Sequence, residues 1–132
     1  MRIFFYLMCT YLQSRQLNFT FKPIIVYKVL LINPAGEYNT PVVKSHIKLK
    51  KTYKAEGYCE ITSTQDRYKV TKGIIHSFAT RATCREYSAN VDNAVIAKCK
   101  IPRFTFYALG KSIYKEKEAY VSKRLRYLQI VQ

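Results

Sequence analysis

Nine consecutive residues, Ile24-Ile25-Val26-Tyr27-Lys28-Val29-Leu30-Leu31-Ile32, are apolar but for Lys28, and Asn33-Pro34-Ala35-Gly36 brings them to a stop. A β-branched run of that length, ended by a strong turn signal, reads as a buried strand followed by a turn. The rest of the chain agrees with a strand at its centre. Twelve Tyr and seven Phe, no Trp, and only four Gly and four Pro in 132 residues favour pleated, half-buried surfaces over long helices. With 48% apolar and 23% charged residues the composition lies far from that of disordered chains, and the length suits one domain.

Alternation marks further strands. Over Val43 to Lys54, Val43, Ile47, Leu49 and Tyr53 share one face, and Lys44, His46, Lys48, Lys50 and Lys54 share the other. Gly57 to Thr62 reads as a short strand, and Ser63-Thr64-Gln65-Asp66 as the polar turn of a hairpin into Tyr68 to Phe78, where Gly73 marks a bulge or a close backbone approach. Thr80 to Asn90 loses the alternation and is expected to be the one helix, capped by Thr80. Ala94 to Ile101 returns to strand with Val95, Ala97, Cys99 and Ile101 inward, and Phe104 and Phe106 then alternate with Thr105 and Tyr107. Gly110 to Lys123 reads as a charged loop with partial helix, and Leu125 to Val131 as a closing strand, with a helix over Ser112 to Leu128 as the alternative.

The expected fold is α+β: a compact, β-rich single domain with a curved, mainly antiparallel sheet of six or seven strands and one short helix. Residues 24–132 form that domain and residues 1–23 an N-terminal extension. Met1-Arg2 and the apolar run to Leu12 resemble a short signal peptide, but Gln13-Ser14-Arg15-Gln16 lacks the small-x-small cleavage pattern. An extra strand or short helix is the preferred reading there. Ten apolar residues are too few for a membrane span, which takes about 20.

Twenty-three Lys and Arg against eight Asp and Glu leave a net charge of +15. Residues 41–132 carry nineteen of the basic and seven of the acidic residues, so the excess belongs to the body of the domain and not to a basic tail. Such a field attracts polyanions. Alternate residues of a strand lie about 6.7 Å apart on one face, so Lys44, His46, Lys48, Lys50 and Lys54 are the candidate site for a phosphodiester backbone. Tyrosines interleaved with basic residues, at Lys51-Thr52-Tyr53-Lys54, Arg67-Tyr68-Lys69 and Arg124-Leu125-Arg126-Tyr127, could stack on bases. The competing reading is a lysine-rich edge strand protected from aggregation.

Other chemistry is hard to find. Cys9, Cys59, Cys84 and Cys99 form no C-x2-C pair and the two histidines are His46 and His76, so no metal and no cofactor is expected and the thiols are expected to be free. Ala108-Leu109-Gly110-Lys111-Ser112 ends like a phosphate-binding loop, but position 105, where that motif needs glycine, is Thr. His76 near Cys84 invites a nucleophile and base, yet nothing supplies an orienting third group, and no catalytic residue is assigned.

Lys72-Gly73-Ile74-Ile75-His76-Ser77-Phe78-Ala79-Thr80, Val95-Ile96-Ala97-Lys98-Cys99-Lys100-Ile101-Pro102 and the ending AYVSKRLRYLQIV at 119–131 resemble a pattern in small uncharacterised proteins encoded by gut bacteria and their tailed bacteriophages. There a K-G-x-x-H-S-F segment precedes a short helix and a V-V-x-K-C-x-I-P strand. Tyr27-Lys28-Val29-Leu30 and Ala55-Glu56-Gly57-Tyr58-Cys59 match earlier landmarks, so the resemblance spans roughly residues 24–131. Arg103-Phe104-Thr105 stands where the pattern has Lys-Gly-Thr, and a Phe is expected to forbid the positive φ that such a glycine would supply. The resemblance implies a source and a fold, with no reaction attached.

Together these readings lead to a small basic non-enzymatic accessory protein, phage- or bacterium-encoded, that binds an anionic ligand, nucleic acid before nucleotide. The rival is a structural or interaction protein, such as a virion component or a basic subunit of a ribosome-like assembly, with an acidic protein partner. The expected location is the bacterial cytoplasm or the virion.

Overall fold

The computed structural model describes residues 10–41, 45–64 and 67–131. Its strands are β1 (Thr10–Leu12), β2 (Asn18–Thr20), β3 (Ile24–Ile32), β4 (Tyr38–Asn39), β5 (His46–Ile47), β6 (Lys51–Lys54), β7 (Glu60–Thr64), β8 (Arg67–Lys72), β9 (Ile75–Phe78), β10 (Ala94–Ile101), β11 (Thr105–Ser112), β12 (Glu118–Ser122) and β13 (Arg124–Ile130). One helix, α1 (Arg81–Tyr87), interrupts them. The described strands make a single sheet in the order β6-β13-β10-β3-β9-β12-β11-β1-β8-β7, with β2 also on β11 and β4–β5 appended to β3. Among the described residues the expectation of a β-rich, mainly antiparallel sheet with one helix holds, but the strands number thirteen and not six or seven, in part because β1, β2, β4 and β5 are pieces of only two or three residues.

The long apolar run is central, as its composition requires. β3 lies between β10 and β9, and both faces of the β3–β10 pair are covered. Val26 and Leu30 pack with Ala97, Cys99, Ile101, Leu125 and Tyr127 on one face; Val29 and Ile96 meet Phe78, Cys84 and Ala119 on the other, beneath α1. Burial on two faces is why the segment reads as continuous and not alternating. Thr80 caps α1, its hydroxyl accepting from the Thr83 amide at 3.2 Å.

The sheet is rolled. Lys123 alone joins β12 to β13, yet β9, β3 and β10 stand between them in the sheet. Four spacings of about 4.8 Å would place these strands roughly 19 Å apart if the sheet were flat, whereas residues two apart in a chain are separated by at most about 7 Å. Curling is the only geometry that serves both. Lys123 pins the corner: its amide donates to the Phe106 carbonyl, its carbonyl accepts from the Ala55 amide, and its Nζ donates to the carbonyls of Gly57 and Gly73.

Several expectations are corrected. Residues 45–54 are not one strand: β5 pairs with β4 and β6 with β13, and a turn at Leu49-Lys50, with Lys50 at φ 61°, redirects the chain between the two partners. Val43 lies outside the described residues; Ile47 is buried and Leu49 half-buried. The Tyr68 to Phe78 segment breaks at Gly73, where φ is 69° and a Cβ would sit 2.0 Å from the Tyr58 carbonyl oxygen, so the close approach read from the sequence is real. Residues 112–123 form no helix. β11 and β12 are a hairpin turning at Tyr114-Lys115-Glu116-Lys117, with Lys115 and Glu116 both at positive φ. That turn is most often written Asn-Gly, and its absence here hid the hairpin. Residues 124–130 are the closing strand that was expected, and the alternative helix over Ser112 to Leu128 does not form. Within residues 10–23 the extra strand that was expected is present as two pieces, since β1 and β2 both pair with β11 and Thr10 and Leu12 are buried.

Candidate functional site

The lysine line expected along residues 44–54 does not survive the break between β5 and β6. Lys44 lies outside the described residues. His46 is on β5 with its Nε2 3.3 Å from a Glu37 carboxylate oxygen, Lys48 is exposed beside the Tyr53 hydroxyl, and Lys50 occupies the turn. Only Lys54 joins a larger cationic face.

That face is built by register. Lys54 on β6 lies opposite Arg124 on β13; Thr52 lies opposite Arg126, which lies opposite Lys100 on β10. Directly opposed residues have Cα atoms about 4.5–5.5 Å apart, and like charges there destabilise a sheet. Two such pairs, Lys54/Arg124 and Arg126/Lys100, stand side by side. An open cleft of about 830 Å³ runs along Arg124, Arg126 and Lys100, its lining completed by Pro23, Thr52, Pro102, Arg103 and Phe104, with no acidic residue in it. Among the described residues the ion pairs involve other cations, so none of these charges is neutralised by a carboxylate.

The rim of the cleft is a turn held in an uncommon shape. Phe104 has φ 63°, the left-handed region that bulky residues avoid, contrary to the expectation that Phe would exclude it. Hydrogen bonds over-determine the conformation. The Phe104 amide donates to the Thr20 carbonyl, and Arg124 Nη2 donates to the carbonyls of Arg103 (3.0 Å) and Phe104 (3.2 Å). Arg124 is therefore partly a brace for the turn, while Arg103 lies over the Phe104 ring at 5.2 Å.

Beyond the rim, Phe104 continues into a patch of phenylalanines. Phe19 on β2 lies opposite Phe106 on β11, with ring centroids 5.0 Å apart; Phe21 stands edge-on to Phe19 at 5.5 Å, and Phe104 is near-parallel to Phe19 at 6.3 Å. All four are substantially exposed, from 41% for Phe19 to 71% for Phe21. Every described phenylalanine except the buried Phe78 belongs to this patch. The tyrosines singled out from sequence lie elsewhere: Tyr127 is buried with Tyr53 against it, and Tyr68 is half-buried beneath Arg15.

The interior holds polar groups without an obvious reaction. Lys28, partly buried, donates from Nζ to the His76 carbonyl at 2.8 Å, and burial lowers its pKa to about 8. His76 is buried with Nδ1 3.0 Å from Thr10 Oγ1, and burial, reinforced by the Lys28 charge, lowers its pKa to about 3, so the ring is neutral. Cys59, Cys84 and Cys99 are free; burial raises all three thiols, Cys99 to about 12, which keeps them protonated. Cys9 lies outside the described residues. Among the described residues no three His, Cys, Asp or Glu gather into a group able to hold a metal ion, and no helix is long and apolar enough to cross a membrane.

Sequence reasoning named Arg124 and Arg126 only as neighbours of Tyr127 and missed Lys100, Arg103 and the phenylalanines. The alternation of Phe104 and Phe106 was visible; that their parity faces outward was not, because it depends on what Thr105 and Ala108 pack against. No protein-family model, no curated protein and no solved structure matches the chain.

Proposed function

We propose that this protein is a small basic accessory protein that binds nucleic acid through its phosphates, using the cleft lined by Lys100, Arg103, Arg124 and Arg126. The observation that carries the reading is the opposition of like charges across the β6–β13–β10 ladders, with no carboxylate lining the cleft. A sheet that sets Arg126 against Lys100 gives up stability that an incoming anion restores. The resemblance described above adds a bacterial or phage source and an intracellular or virion setting to the proposal.

Salt dependence tests it. Four phosphate contacts give a slope of log affinity against log salt of about −3. Replacing Lys100 and Arg126 with Gln should flatten that slope by about 1.5 for every sequence alike, with the melting temperature held or raised because a repulsive pair is gone. Arg124 is left intact, since it braces the turn. An unchanged slope and affinity in this variant would overturn the assignment and leave the structural, protein-binding reading in its place.

A further inference from the structure

Resting on that reading, we infer that the ligand is a single strand, its unpaired bases stacking on the Phe19/Phe21/Phe104/Phe106 patch while its phosphates lie in the cationic cleft. Phe104 belongs to both surfaces: it lines the cleft and touches Phe19 and Phe21. A strand following the charges from Lys100 and Arg126 past Arg103 therefore meets the rings next. Duplex bases hide their faces in the stack, so a protein that contacts only duplex phosphates has no use for exposed phenyl rings beside them. A single strand presents both kinds of surface at once.

The choice of residue sharpens the chemistry. Phenylalanine has no hydrogen-bonding group, so these rings can cover a base but cannot read its edge; binding is expected to tolerate any sequence. The chain has twelve tyrosines, yet among the described residues none is part of this ring cluster. The left-handed backbone at Phe104 places one ring at the junction of cleft and patch, held by two hydrogen bonds from Arg124 and one to Thr20. Strain of this kind, imposed by surrounding contacts, clusters at ligand clamps.

The test begins with the parent protein and needs no variant. Fluorescence anisotropy would compare labelled 15-mers of oligodeoxythymidylate, oligouridylate, a duplex, and an abasic strand with the same phosphates. Stacking predicts that at least one of the two single strands binds tenfold or more tightly than the abasic strand and the duplex, and the thymidylate and uridylate arms tell DNA from RNA. Phe21→Ala with Phe104→Gly should then lower single-strand affinity about five- to a hundredfold per ring while leaving the salt slope unchanged. Equal affinity for abasic and base-bearing strands would overturn the inference and leave the phosphate reading standing. No binding of any oligonucleotide at low salt would overturn both. Sedimentation showing that the patch is covered by a second copy of the chain at micromolar concentration would also overturn it.

Discussion

The backbone at Phe104 can be tested by comparing two substitutions that differ by one methyl group. Holding a residue with a Cβ in the left-handed region costs about 1–2 kcal/mol, and glycine escapes it. Glycine also loosens the unfolded chain, which costs about 0.4–1 kcal/mol relative to alanine. The ring itself is 52% exposed, so its removal forfeits about half of a full phenylalanine burial, roughly 1 kcal/mol. Phe104→Ala keeps the strain and loses the ring, and is expected to be about 1 kcal/mol less stable than the parent. Phe104→Gly loses both and should be about 0.5–1 kcal/mol more stable than the alanine variant, a gap of about 2–4 °C in melting temperature for a chain of this size. Phe106, in the extended strand β11, supplies the control: there glycine should be the less stable of the pair by about 0.5–1 kcal/mol. Urea denaturation of the four variants reads both differences. If glycine is the less stable residue at 104 as well, the turn is not left-handed and the account of how Phe104 is presented fails.

Two further outcomes follow from the interior. Gly73→Ala would combine a positive φ with a Cβ 2.0 Å from the Tyr58 carbonyl, and should cost about 3 kcal/mol or more in urea denaturation; a loss under 0.5 kcal/mol would contradict the close packing of the 57–59 segment on β8's end. His76 has its pKa lowered to about 3 by burial, so below pH 6.5 the unfolded chain takes up a proton that the folded chain refuses. Stability is therefore lost as pH falls from 6.5 toward 3, by about 1.4 kcal/mol per unit. The stability difference between parent and His76→Gln should shrink or reverse by about 2 kcal/mol between pH 7 and pH 5, and a pH-independent difference would refute the buried neutral ring.

What could be read in the sequence is what local period and turn chemistry specify. β3, β10, the β7–β8 hairpin, the Thr80 cap and the close approach at Gly73 all follow from residues adjacent in the chain. The misreadings share a cause. The alternation over Val43 to Lys54 is continuous, but β5 and β6 answer to partners more than eighty residues apart in the sequence, Tyr38-Asn39 and Arg124-Tyr127, and no local pattern reports that. Lys115-Glu116 makes a tight hairpin turn without the residues that announce one. The candidate site was legible only as an excess of charge, because the pairing of Arg126 with Lys100 is a property of register and not of either segment.

The corner at Lys123 bears on when the protein becomes competent. β13 is the last strand in chain order, and it must slide between β6 and β10, strands made some forty residues or more apart, before the roll can close. Such non-local pairings form late and slowly. Arg124 and Arg126 ride on that strand, and Arg124 also braces the Phe104 turn. A chain still on the ribosome with residue 124 unmade thus carries neither half of the cleft's central charges nor a fixed aromatic rim. If the cleft grips polyanions as proposed, that affinity awaits β13, and a chain made only as far as residue 123 has its gripping surface unassembled.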